Sequence, residues 1–232
     1  MMTRSSIFDQ TGSVFRILTW LIPLMLTGPD NAIGSDACQS GGFFGVRTVI
    51  LKNSSGFHTI IHVPNCYFLR KNSRDNGPVR TKFFRLNLSY PTFKPLHKNP
   101  TLSSRKNYIF VDLSSSKKTN STIFLHKYYF RWKNPKLTRY GIHELEFDRN
   151  TPISKTMKSI RRLFHYENSD NIPDTLIICN KEPIHLSRCR ATFWNNKNNK
   201  SIMVKVNFSF YHFSNWKLII KKLHNTTRQF LM

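Results

Sequence analysis

His58 and His62 stand four residues apart in the run His-Thr-Ile-Ile-His. On a helix that spacing puts both imidazoles on one face, where they could hold a metal ion. Thr59, Ile60 and Ile61 between them favour a strand instead, and strand positions four apart are separated by roughly 13 Å, too far to ligate one ion. The glutamate that follows the first histidine in a zinc-protease helix is also missing. No metal or other cofactor is expected. Glu144, Glu146 and Asp148 form the one close group of carboxylates. Strand alternation would put all three on one face, as a general acid and base or as a charged solvent face balancing Arg139 and Arg149. The sequence holds no nucleophile elbow, phosphate-cradling glycine loop or dinucleotide fingerprint, so no motif points to an enzyme.

Charge is the stronger chemical signal. The chain of 232 residues carries 36 Lys and Arg against 12 Asp and Glu, a formal charge of +24. Between residues 37 and 143 only Asp75 and Asp112 oppose nineteen Lys and Arg. Such a surface draws acidic partners, whether an acidic protein, nucleic acid or anionic lipid. The polar, proline-containing stretch from 65 to 106 supplies Arg70, Lys71, Arg74, Arg80, Lys94 and Lys98 as candidate partner-binding residues. Basic and aromatic residues interleave at Lys82-Phe83-Phe84-Arg85 and from Lys127 to Lys133. These stretches could stack bases and contact phosphates, or form strands with an aromatic core face and a basic solvent face.

The elements that must position these residues are mostly strands. Arg47 to Leu51 and Phe57 to Val63 are short β-branched runs joined by Asn53-Ser54-Ser55-Gly56, a turn composition. Residues 65 to 80 read as an exposed loop. Phe84, Leu86, Leu88 and Tyr90 alternate with polar residues up to Pro91, and strands are expected again at Tyr108 to Leu113 and Thr122 to Phe130. Met157, Ile160 and Phe164 recur at helical spacing, so a helix is expected from Ser154 to Phe164. Thr175 to Cys179 and Arg190 to Trp194 follow as strands, then a turn at Asn195 to Lys200 and a strictly alternating strand from Ile202 to Phe210. Ser214 is expected to cap a terminal helix with Trp216, Ile219, Ile220, Leu223, Thr227 and Phe230 on its apolar face. The fold class is α+β, a single domain with a largely antiparallel sheet and two helices packed on one face.

The amino terminus reads as an export signal. Residues 17 to 28 are uncharged and mostly apolar, Arg4 and Arg16 precede them, and no further Lys or Arg appears until Arg47. The run is shorter than the roughly 20 apolar residues a spanning helix needs, and Pro23 interrupts it. Removal of residues 1 to 34 leaves 35 to 232 as the domain; the alternative is an uncleaved anchor with the domain outside. Four cysteines in an exported chain suggest disulfides, Cys179 with Cys189 across Pro183 and Cys38 with Cys66.

Ile61-His62-Val63-Pro64-Asn65-Cys66-Tyr67-Phe68, with Leu86 through Tyr90-Pro91-Thr92-Phe93-Lys94-Pro95-Leu96, resembles a pattern in small exported proteins of Gram-negative bacteria. In those, a strand ending in Ile-Pro-x-x-Tyr precedes one closing in Tyr-Pro-x-Phe-x-Pro. The tail from Cys179 to Phe230 follows the same order. Some such proteins accompany type VI secretion effectors. The resemblance implies a periplasmic immunity-type protein that neutralises a toxin by binding it, and it assigns no toxin-contacting residue.

Overall fold

The computed structural model describes residues 45–68, 77–96, 107–116, 132–147, 160–167, 172–180 and 187–231. All of them belong to one compact unit, Asn31–Met232. The expected export signal and the strand expected at Thr122 to Phe130 lie outside the described residues. Among those residues, no helix is long and apolar enough to cross a membrane.

Eleven strands are described, in two sheets. β1 (Val46–Lys52), β2 (His58–Pro64) and the short β3 (Val79–Thr81) make the small sheet, ordered β2-β1-β3, with β3 parallel to β1. β4 (Phe83–Ser89), β5 (Tyr108–Ser115), β6 (Trp132–Leu137), β7 (His143–Phe147), β8 (Ile160–Tyr166), β9 (Thr175–Asn180), β10 (Arg188–Lys197) and β11 (Lys200–Ser209) make the large one. Its order is β4-β5-β11-β10-β9-β8-β7-β6, antiparallel throughout. The strands from β6 to β11 pair in sequence order, a meander built from consecutive hairpins. Asn198 and Asn199 turn the β10–β11 hairpin with positive φ at both positions, where a short amide side chain is tolerated.

Strand alternation creates the core. Ile202, Val204, Val206 and Phe208 of β11 point inward with Leu86 and Leu88 of β4 and Val111 and Leu113 of β5, all buried. Full burial of each such side chain contributes roughly 1.5–3 kcal/mol. Val49, Leu51, Ile61 and Val63 bring the small sheet onto this face, against β4, β5 and β11. Beside it, helix α1 (Trp216–Gln229) packs on β10 through Trp216, Ile219, Ile220 and Leu223. The small sheet and helix also join each other: the His62 amide donates to the Phe230 carbonyl at 2.8 Å, and Tyr67 meets the Phe230 ring edge-on at 5.6 Å. Burial there pushes the Tyr67 phenol up to about 12.

Four expectations need correction. The described residues contain one α-helix, not two. Ile160 to Phe164, expected above to end a helix, lies in a strand, Ile160–Tyr166, paired with β7 and β9, while residues 154–159 lie outside the described residues. Leu163, Phe164, His165 and Tyr166 are all buried, and a central strand covered on both faces shows no alternation for the eye to follow. Residues 65 to 80 are not simply a loop, since Cys66, Tyr67 and Phe68 are buried and β3 begins at Val79. The turn expected at Asn195 to Lys200 is tighter, with β10 running on to Lys197. Ser214 does not cap the helix either. It lies within a 3-10 turn, Phe210–Asn215, begun by Ser209, whose Oγ accepts from the Tyr211 amide, and Asn215 holds the cap position without a side-chain bond.

One buried and one half-buried histidine give this unit an acid-sensitive stability. His165 is 4 % exposed, and burial holds its imidazole below the ordinary histidine range, with His143 pushing the same way and Asp174 and Glu167 opposing. Burial, then Arg228, lower His224 likewise, against a hydrogen bond with Asn225. The unfolded chain therefore binds protons that the folded one resists. Unfolding free energy should be fully present above the unfolded histidine value of about 6.5 and fall as pH drops from there toward the folded values. Melting curves at stepwise lower pH should show this loss, and His165→Gln with His224→Gln should flatten it. A wild-type curve flat across that range would refute the assignment.

Candidate binding surface

Register decides which charged side chains meet. On the large-sheet face turned away from α1, Arg85 of β4, Asp112 of β5 and Lys205 of β11 are direct cross-strand neighbours. Arg85 grips Asp112 with both ends of its guanidinium, Nε to Oδ1 at 2.6 Å and Nη2 to Oδ2 at 3.0 Å. The next row on the same face runs Asn87, Phe110, Asn207, Arg190. There Arg190 is exposed and its Nε donates to Asn207 Oδ1 at 2.9 Å. Two guanidiniums lie over rings of this face, Arg85 at 5.9 Å from Phe83 and Arg188 at 5.3 Å from Phe110. Such stacking orients a cation and limits the side-chain entropy lost when a partner docks.

The charge balance follows. Among the described residues, Arg85, Arg188, Arg190 and Lys205 face outward against the single carboxylate of Asp112, which both of its cross-strand neighbours already flank. An exposed ion pair such as Arg85 with Asp112 adds at most about 1 kcal/mol to stability. The surplus positive charge is thus spread over β4, β11 and β10.

The structure disperses the residues singled out from sequence. Arg80 is exposed on β3, level with Ile50 of β1, on the outer face of the small sheet. Lys94 is exposed beyond the edge of β4, where its carbonyl accepts from the Ser89 amide at 2.9 Å. These two sit on different sheets. Arg70, Lys71, Arg74 and Lys98 lie outside the described residues, as do Cys38 and the stretch 127–131. Cys179 and Cys189 form the expected bridge, directly opposed on β9 and β10. Cys66 is disulfide-bonded and buried.

The histidine and carboxylate patterns resolve into ordinary sheet chemistry. His58 and His62 lie on the outer side of β2 with Ile60 between them, and no three metal-ligating side chains gather among the described residues. Both carboxylate oxygens of Glu144 accept from Arg162, each at 2.6 Å. Arg162 in turn stacks on Phe164 at 4.9 Å and on Phe210 at 5.7 Å. Glu144 is thereby the anchor of a half-buried cross-strand pair. Asp148 lies outside the described residues.

Charge in the last part of the chain was overlooked in the sequence. After Glu182 there is no Asp or Glu, while nine Lys and Arg follow. That segment forms the neighbouring strands β10 and β11 and the helix, so its cations emerge on both sides of the sheet. No protein-family model, curated protein or solved structure matches the chain.

Proposed function

We propose that this chain is an exported, non-enzymatic binding protein of the immunity type, which neutralises a secreted effector by covering an acidic surface on it. The observation that carries the reading is the outer sheet face, where among the described residues four cations stand with one carboxylate and two of the guanidiniums are pre-oriented on aromatic rings. A basic sheet face suits recognition of an acidic partner, because complementary charge steers encounter and sets register. The Cys179–Cys189 bond fits an oxidising compartment outside the cytosol. The periplasm is the compartment the apolar amino-terminal run and the resemblance favour.

The test is retention of partners from the protein's own host at low and high salt. One acidic protein held in stoichiometric amount, with association slowed about tenfold or more by Arg190→Glu with Lys205→Glu, is the expected result. A second variant reverses Arg70, Lys71, Arg74, Arg80, Lys94 and Lys98 together and measures the share of the loop cations. Partner binding unchanged in both variants would sink the basic-surface reading, and retention of bulk nucleic acid in place of a protein would sink the immunity reading.

A further inference from the structure

Helix α1 covers the opposite side of the large sheet from the face just described. It buries Trp216, Ile219, Ile220, Leu223, Thr226 and Thr227 and leaves Lys217, Leu218, Lys221, Asn225 and Arg228 exposed. Lys217, Lys221, Asn225 and Arg228 follow one another at intervals of four, four and three, so they line a single stripe about 16 Å long. The 3-10 turn leading into the helix adds Tyr211, which is 73 % exposed, and Leu218 within the helix is 47 % exposed.

This pattern is wrong for a helix that merely faces water. Solvated helices mix signs so that residues four apart pair, and they favour acids in the first turn, where the helix dipole is positive. Here neither the helix nor the turn contains an Asp or Glu, and Lys217 occupies the first turn. Lys217 rests its ammonium 5.2 Å from the Tyr166 ring, but Lys221, Asn225 and Arg228 continue the stripe with no acid beside them on the helix, a local rule broken that marks a surface kept for another purpose.

We infer that this face docks on an anionic phospholipid bilayer. Interfacial helices combine basic side chains with a few projecting apolar ones, and the attraction has both an electrostatic and a burial component. Tyr211 suits the headgroup level, where a ring can be half sunk while its hydroxyl stays wet. Lys221 has a stem long enough to lie along the surface with its ammonium among the phosphates, and Lys217, stacked over Tyr166, adds its charge at the same level. A strand of nucleic acid would call for a row of stacking rings, and this stripe offers Tyr211 alone. An acidic protein is accommodated better by the outer sheet face.

Co-sedimentation of the full chain with vesicles tests the inference. Vesicles rich in phosphatidylglycerol should retain it, and pure phosphatidylcholine vesicles should retain far less. Lys217→Glu, Lys221→Glu and Arg228→Glu together should lower the partition onto the anionic vesicles about 100-fold. Tyr211→Ser with Leu218→Ser should lower it about tenfold. All five positions are exposed, so unchanged melting curves will show that the variants fold. The apolar run of residues 17 to 28 contributes equally to wild type and variants, and the comparison cancels it. Equal retention on both vesicle types, a triple variant that still binds, or capture of duplex DNA with no vesicle binding would each overturn the inference. Because the two faces lie on opposite sides of the sheet, loss of vesicle binding with the effector still retained, or the converse, separates the two readings.

Discussion

Replacing Trp216 with alanine should lower the melting temperature by about 10 °C, the largest single-residue effect expected here. Trp216 is fully buried at the first position of α1, with its ring 4.9 Å from that of Tyr166 on β8. Its Nε1 donates to the Tyr140 carbonyl at 3.1 Å, in the turn between β6 and β7 that Gly141 closes with positive φ. One side chain therefore ties the helix to the far half of the large sheet. Truncating a buried tryptophan costs about 3–5 kcal/mol, and in a unit of this size each kcal/mol moves the midpoint by about 2–4 °C. The cut also strands the Tyr140 carbonyl. Trp216→Phe should fall between, since it keeps most of the packing and loses the donor. Calorimetry that finds Trp216→Ala melting with the wild type would show that the helix is not pinned at this point.

Removal of the Cys179–Cys189 bond ranks second. In the chain-entropy account, closing a loop of this length stabilises by about 2–3 kcal/mol. The midpoint should drop by roughly 5–10 °C. The choice of replacement matters, because both sulfurs are buried, each residue being 1 % exposed, on the core face of β9 and β10. A double serine variant would sink two hydroxyls among apolar neighbours and add their desolvation to the loss. A double alanine variant isolates the cross-link more cleanly and should lie above the serine pair. Wild-type protein melted in strong reductant should approach the alanine variant. An alanine variant that melts unchanged would mean the meander holds this loop without help.

The strands that could be read from the sequence are those with one wet face. β4, β5 and β11 each alternate, and their apolar positions are the buried ones in the fold. α1 was equally plain, because Trp216, Ile219, Ile220, Leu223 and Thr227 mark one side of a helix and all five are buried. β8 was not, since Leu163 and Phe164 are both fully buried and point to opposite faces, so the strand lost its period and a chance helical spacing took its place. The candidate surface was hidden for a different reason. Arg85 and Lys205 are 120 positions apart and become near neighbours only because both strands pair with β5. Each cation alone looks like a solvated side chain. The acid-free stretch after Glu182 was legible and pointed to the same strands and helix.

The strand order also governs the sequence in which the sheet can assemble. β4 and β5 connect to the six-stranded meander through β11 alone, and β11 is the last strand in sequence among the described residues. A chain that emerges from a translocation pore amino end first presents β4 and β5 early, with an unpaired edge and no partner to accept it. The sheet can close only after residues 200–209 have followed. Closure then waits on one late pairing, six residues of β5 against β11 with Val111 opposite Val206, formed across nearly a hundred residues. For the export proposed above, the same keystone arrangement would leave the large sheet open until its last strand has crossed.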